Sequence, residues 1–473
     1  MKNALFWKLM ERFGVQGVQF LLQIILARLL DPEHYGVLSM MVVFTTLANV
    51  FIQNGFNTSL VQNKDVTEED YSSVFWVSLG IAVILYVTLF VAAPFIAVFY
   101  EMPDIVQPLR VLSLMLLPGA FNSVQLAKVS REMDFKQIFR SNIIGVIISG
   151  LIGICLALLG VGLWALVAQT LLNTVFACLV MLFTVKWRPR LVCNFRRVKV
   201  LFAFGWKLLV SSLLDTLYQD IRSLVIGKKY DSSTLAYYDR GKQFPQFVIN
   251  AVNGAVQSVL LPAMSAEQDE PAKVKALMRN SVMLSSYIIF PMMAGLAAVA
   301  PAMIELLLTE KWLPSVPYMQ IYCISLAFYP VHTSNLQAIN AMGRSDIFLK
   351  LELVKKAFGL SVLVFAVFCF DSPLAIALTG IFTSVVSCFI NAYPNKKLIQ
   401  YSYFEQMKDI LPSFAASALM FAVTSLAGNV DLPVILVLIL QVIVGVVVYI
   451  AISAVAGLAP FKTLLGMIRL PKK

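Results

Sequence analysis

"SNIIGVIISGLIGICLALLGVGLWALVAQTLLNTVFACLVMLFTV", residues 141–185, contains no charged side chain. About 20 apolar residues cross the hydrocarbon core of a bilayer as a helix, so this stretch is long enough to cross twice. Its centre, "LGVG" at 159–162, sets two glycines where a chain turns. The reading is a hairpin of two membrane helices. Charge-free runs recur at 71–100, 372–395 and 432–458. Apolar residues make up 59% of the chain, charged residues 13%, and mean hydropathy is +0.81. Globular domains carry about a quarter charged residues. The composition is that of an all-α integral membrane protein.

Periodicity and breakers mark about fourteen transmembrane helices: 4–30, 35–62, 71–100, 105–127, 137–160, 162–185, 200–227, 235–262, 278–308, 315–341, 346–370, 373–395, 409–428 and 432–458. The net charge of +11 invites a nucleic-acid reading, but its distribution argues against one. With the N-terminus inside, about 28 of the 37 Lys and Arg fall on one side, in segments such as "KVSREMDFKQIFR" and "KWRPRLVCNFRRVK". The other side shows "DPEH", "EMPD", "FDSP" and "GNVD". That bias is the positive-inside rule. It predicts a multi-pass protein with both termini cytoplasmic and no nucleic-acid partner.

The opening "MKNALFWKLMERFG" places Glu11 and Arg12 where a cleavable signal would be apolar, which predicts a retained first helix. Six cysteines (155, 178, 193, 323, 369 and 388) show no CxxC spacing. Packed free thiols are expected in place of a disulfide or metal framework.

The two halves of the chain resemble each other. "PGAFNSVQLAKVSREMDF" (118–135) and "PVHTSNLQAINAMGRSDI" (330–347) align Pro118 with Pro330, Gln125 with Gln337 and Asp134 with Asp346, each at a separation of 212. "NGFNTSLV" (54–61) echoes "NGAVQSVL" (253–260), and "RFGVQ" (12–16) echoes "AFGWK" (203–207). A repeat of six helices enters the membrane in the same orientation each time. Parallel repeats of this kind place a substrate site between halves. The expected organisation is an N-terminal six-helix bundle over 1–198 and a second over 199–400, around a central cavity. Two appended helices and a basic tail follow over 401–473.

Four helices carry polar stripes at helical spacing, the first two of each repeat. The first has Arg12, Gln16, Gln19 and Gln23, and the second has Asn49 and Gln53. The seventh has Lys207, Asp215, Tyr218 and Arg222, and the eighth has Gln246, Asn250, Asn253 and Gln257. Steps of three and four put each set on one face. An amide face in lipid must find partners or water. Two readings stand: hydrogen bonding between packed helices, or the lining of a wet cavity. The charged members fit the second, with Asp215 a candidate ion-coupling carboxylate or one half of a static ion pair with Arg222 or Lys207.

No GxxxxGK[ST] loop occurs, and no GxGxxG follows a strand pattern. His34 and His332 are the only histidines and stand far apart in sequence. No catalytic constellation, cofactor or metal site is read, so the chain is expected to be a secondary transporter and not an enzyme.

"ILARLLDPEHYGVLSMM", "SLVIGKKYDSSTLAYYDRGKQFP" and "SNLQAINAMGRSDIFLKLELVKK" resemble the bacterial polysaccharide (O-antigen, capsule, exopolysaccharide) flippases. These form the Wzx-like branch of the multidrug/oligosaccharidyl-lipid/polysaccharide exporter superfamily. The resemblance spans essentially the whole chain. It implies two six-helix bundles around a central cavity in the bacterial cytoplasmic membrane. It also implies a cargo: an undecaprenyl-pyrophosphate-linked oligosaccharide carried from the inner to the outer leaflet by alternating access. Membrane lipids are implied partners, with a polysaccharide polymerase and glycosyltransferases as candidates. The alternative on the same architecture is a Na⁺- or H⁺-coupled small-molecule or multidrug exporter. The residues themselves reach duplicated bundles and a polar cavity but not a sugar.

Overall fold

The computed structural model describes residues 6–8, 10–53, 57–63 and 65–469. The described residues are helical with short connections, and they fall into two compact units, Met1–Ala236 and Tyr237–Lys473.

The first unit contains α1 (Gln16–Leu29), α2 (Pro32–Gln53), α3 (Asn57–Gln62), α4 (Glu68–Tyr100), α5 (Val106–Leu112), α6 (Leu116–Arg131), α7 (Phe135–Leu158), α8 (Leu163–Thr184) and α9 (Phe195–Lys229). Helix α10 (Ser232–Ala266) crosses the boundary between units. The second unit continues with α11 (Pro271–Leu308), α12 (Val316–Ala327), α13 (Tyr329–Ala341), α14 (Ser345–Cys369), α15 (Pro373–Leu398), α16 (Tyr403–Leu426), α17 (Val434–Val455) and α18 (Ala459–Arg469).

Each of the fourteen expected spans coincides with helix, but they do not all qualify as spans by themselves. Ten helices of the described residues are long and apolar enough to cross a membrane, and α9, bent by 56° between 195–203 and 205–229, makes an eleventh. The remaining three have visible reasons. A π-helical turn at Met10–Val15 interrupts the first. The tenth is split into α12 and α13, and α14 carries Asp346, Lys350, Glu352, Lys355 and Lys356 in its first half.

Two of these irregularities are related by the repeat. The π-helical turn contains Phe13–Gly14, and the bend of α9 falls at its counterpart, Phe204–Gly205. Sharp bends in helices occur at glycines and π-turns, and the duplicated Phe-Gly supplies one site to each copy.

The α7–α8 hairpin turns at 159–162, with Gly160 and Gly162 both at positive φ. Close approach is why glycine recurs along α7. A Cβ on Gly153 would stand 2.8 Å from the Gln169 Cβ, and one on Gly145 would stand 3.0 Å from the Asn173 carbonyl oxygen. Small residues let membrane helices approach in this way. Helix α4 starts with a capping box. The Thr67 hydroxyl accepts from the Asp70 amide at 3.3 Å, and the Asp70 carboxylate accepts from the Thr67 amide at 2.9 Å.

Burial follows membrane logic. On α17, Ile443, Val446, Val447 and Ile450 are exposed, whereas Gln441, Tyr449 and Ser453 are buried. The apolar side faces lipid and the polar side turns its groups inward. Gln441 donates to the carbonyls of Ala298 and Thr424, and the Tyr449 hydroxyl donates to the Tyr287 carbonyl at 2.8 Å. A second inward knot joins α13, α15 and α16. Asn335 Nδ2 donates to Gln406 Oε1 at 2.7 Å, and Asn395 Nδ2 donates to Asn335 Oδ1 at 2.7 Å. All three amides are fully buried.

Candidate functional site

The first unit holds a polar cavity of about 540 Å³ among α1, α2, α6, α7 and α8. This lies in the range of ligand pockets, about 300–1,000 Å³. Helix α1 contributes Gln16 and Gln19, and α2 contributes Asn49 and Gln53. The opposite walls bring Gly119 and Asn122 from α6, Asn142 from α7, and Asn173 and Thr174 from α8. Lys8 and Glu11 also line it, paired to each other at 2.7 Å.

Such a wall offers many donors and acceptors and, among the described lining residues, one charge pair that neutralises itself. Gln53 Nε2 approaches Asn49 Oδ1 at 3.4 Å, a weak contact along one helix. Asn122 Oδ1 is buried and has no hydrogen-bond partner among the described residues. Buried polar atoms are nearly always satisfied, so an orphan acceptor on a cavity wall suits a ligand hydroxyl or amide.

The sequence-derived residues separate into three groups. Gln16, Gln19, Asn49 and Gln53 share this cavity. Gln23 lies one turn further along α1 and does not line it, and the Arg12 side chain is outside the described residues. On α9, Lys207 is exposed, while Asp215, Tyr218 and Arg222 are half-buried and away from this cavity.

The α10 set lies in the second unit and is spent partly on local bonds. Gln246 Nε2 donates to Asn250 Oδ1 at 2.9 Å, and Asn253 Oδ1 accepts from the Thr333 hydroxyl at 2.7 Å. For Asn253 the bond is therefore of the interhelical kind. Gln257 is exposed.

Four lining residues, Asn122, Asn142, Asn173 and Thr174, escaped the sequence reading. The polar residues of their helices do not form a long single-faced stripe like those of α1 and α10. The available signal was the isolation of Asn142 and Asn173 in a charge-free stretch, where an amide has to be used for something.

The second unit holds a different pocket. About 340 Å³ between α11, α12 and α16 is lined mainly by Phe290, Met293, Ile324, Phe328, Phe414 and Phe421.

Comparison with known proteins decides the family. A profile described as "Polysaccharide biosynthesis protein" matches residues 25–317. The chain belongs to the polysaccharide biosynthesis protein family. Within reach of this family member are the teichuronic acid biosynthesis protein TuaB of Bacillus subtilis (strain 168), 26% identical over 80% of this chain and 78% of its own, and the lipopolysaccharide biosynthesis protein WzxC of Escherichia coli (strain K12), 22% identical over 74% and 71%. The polysaccharide biosynthesis protein shares its fold with the lipid II flippase MurJ in an inward closed conformation. The TM-score is 0.76 at 13% identity, covering 98% of this chain and all of the other. An inward-facing multidrug resistance MATE transporter follows at a TM-score of 0.62 and 14% identity, covering 83% of this chain and 99% of its own. At these identities the likeness is one of fold, and it is the fold of membrane transporters.

Proposed function

We propose that the protein is a secondary transporter that moves a polyprenyl-pyrophosphate-linked oligosaccharide from the inner to the outer leaflet of the bacterial cytoplasmic membrane. The amide-lined cavity of the first unit carries this reading. Sugars present hydroxyls and acetamido groups, and Gln16, Gln19, Asn49, Gln53, Asn122, Asn142 and Asn173 offer matching donors and acceptors. The relatives named for teichuronic acid and lipopolysaccharide biosynthesis and the MurJ-like fold point the same way. The apolar groove of the second unit suits a hydrocarbon chain.

On this reading the two repeats are the moving bodies, and the N- and C-termini are cytoplasmic. Arg12 and Lys207 meet the pyrophosphate near the cytoplasmic entrance, with Arg222 deeper. A guanidinium can grip phosphate oxygens in bidentate fashion. Asp215 is the candidate for ion coupling.

The exporter alternative finds support in the MATE-like fold. A cation-binding cavity would need an available carboxylate, and the described wall of this cavity offers Glu11 alone, held by Lys8.

The deciding experiment is a deletion strain. Lipid-linked repeat units should accumulate on the cytoplasmic side of its membrane, with surface polymer lost and both restored by complementation. Unchanged surface polymer and no accumulation would refute the proposal.

A further inference from the structure

In the second unit His332 is the centre of a polar cluster joining three helices. It stands on α13, α15 brings Ser384, Cys388 and Asn391 to it, and the Ser325 carbonyl arrives from α12. Hydrogen-bond direction fixes the state of the ring. The Ser384 hydroxyl donates its one proton to the Ser325 carbonyl at 2.8 Å. It can therefore only accept from His332 Nε2, 3.1 Å away. Asn391 Nδ2, a donor, lies 3.3 Å from Nδ1, which leaves Nδ1 bare. These partners match a neutral ring with its proton on Nε2.

Asn391 is fully buried, and its Oδ1 has no hydrogen-bond partner among the described residues. A half-turn of that amide would exchange Nδ2 for Oδ1 beside the ring. An acceptor would then face Nδ1, as a proton there requires. One orientation of the amide satisfies the neutral ring, and the other satisfies the imidazolium.

We propose that His332 is a proton-binding site, in which Asn391 turns its amide to admit the second ring proton.

The charged and titratable neighbours of the ring include one cation, Lys355, whose charge opposes a second ring proton and is offset by its partner Glu352. Tyr329 lies one turn away on α13, its ring centroid 6.5 Å from the imidazole. Helix α14 supplies Glu352 and Lys355, paired at 2.5 Å, with Lys355 near enough to act on the ring. Helix α15 supplies Cys388, whose sulfur is 3.7 Å from Nε2. Helix α11 meets α13 through a neutral contact, Ser281 with Ser334 at 3.3 Å, and α12 offers the Ser325 carbonyl. An ionisable residue within a membrane helix marks a functional site more often than a packing one. Packing alone accounts for the ring but not for the unused oxygen of Asn391. Nor does the repeat demand a histidine here: 212 positions earlier stands Ala120, fully buried.

With two histidines in the chain, full-length protein labelled with nitrogen-15 histidine in lipid nanodiscs gives two sets of ring signals, and His34→Gln assigns them. Expected is an Nε2–H neutral ring for His332 at about pH 8 that becomes imidazolium as the sample is acidified towards about pH 4.5. Asn391→Leu, with no oxygen to turn inward, should lose that conversion, and Asn391→Asp should hold the ring charged at neutral pH. A wild-type ring still neutral at the acid end overturns the proposal, as does a titration that Asn391→Leu leaves unchanged. This measurement needs no cargo, so its failure is separate from failure of the transport reading on which proton coupling rests. Where polymer export depends on the protein, His332→Asn should flatten the response of export to external pH. An unaltered response would overturn the coupling.

Discussion

Arg197 grips Asp70 with two hydrogen bonds, from Nε at 2.9 Å and Nη2 at 2.7 Å. Asp70 is 2% exposed and also caps α4, so the pair fastens the start of α9 to the first turn of α4. The segment between α8 and α9 is laced to the same turn, since the amides of Arg190 and Asn194 donate to Ser72 and Ser73. Removing Arg197 strands the buried Asp70 carboxylate, while the exposure of Arg197 itself moderates the cost. Arg197→Ala should therefore melt well below wild type in detergent, with Asp70→Asn/Arg197→Gln losing less. Lys128→Ala, which breaks the more open pair with Glu68, should cost about 1 kcal/mol or less. Equal losses for Arg197→Ala and Lys128→Ala would contradict this account.

Asn122 separates cavity from glue. Its side-chain oxygen makes no hydrogen bond among the described residues, so Asn122→Leu should leave the melting temperature unchanged or raised, because an unsatisfied buried group is removed. Polymer export should nevertheless fall about tenfold or more if one cargo hydrogen bond worth about 1.4 kcal/mol or more is lost. A variant that melts early and exports in proportion to its abundance would assign Asn122 to packing.

Arg222 and Asp215 lie two turns apart on α9. If Arg222 only neutralises Asp215, Asp215→Asn/Arg222→Gln should restore what either single change removes. A phosphate-gripping Arg222 predicts an inactive double variant at normal abundance, with Arg222→Lys keeping part of the activity. Wild-type export by Arg222→Gln would end that role.

The basic segment between α8 and α9 should be cytoplasmic. Arg190→Cys in a background with Cys155, Cys193 and Cys369 changed to Ser, needed because all three are exposed, should resist a membrane-impermeant thiol reagent in intact spheroplasts and react after permeabilisation. Labelling without permeabilisation would invert the topology.

At the other end of α4, Glu101 pairs with Lys228 at 2.8 Å, and the hydrogen bond from Lys228 holds its carboxyl below the ordinary value of 4.5. A depressed carboxylate stabilises the fold above its unfolded pKa and loses that contribution as pH falls through the folded one. The stability difference between wild type and Glu101→Gln should be present at pH 7 and vanish on acidification below the usual carboxylate range. A difference that grows on acidification would oppose this sign.

The fold was legible where a single physical demand dominated. Long runs without charge can only be spans, and the turn at 159–162 lies between two of them. The matched Phe-Gly pairs were visible as a repeat but not as breaks. Whether a helix bends at Gly14 or Gly205 depends on what packs against it, which the local sequence does not contain. Span-counting was blurred at α14, whose five charged residues are accommodated by the fold and not by apolarity. In the cavity, Gln16, Gln19, Asn49 and Gln53 announced themselves by spacing. Asn122, Asn142 and Asn173 stand on three different helices, and only tertiary structure brings them to the same space. His332 was invisible as a cluster for the same reason: its partners Ser384 and Asn391 lie more than fifty residues away.

The knot of Asn335, Asn395 and Gln406 sets an order of events during synthesis. Chains emerge from the N-terminus, and domains close as their parts arrive. Asn335 on α13 and Asn395 on α15 enter the bilayer ahead of Gln406, and until α16 follows, the Asn335 amide lacks its Gln406 partner. An amide left short of partners in hydrocarbon is costly. The second unit therefore cannot seal when its own repeat is complete. The last pair of helices acts as the closing clasp of biogenesis, and a chain released before them would bear its unfinished state as a polar scar within the membrane.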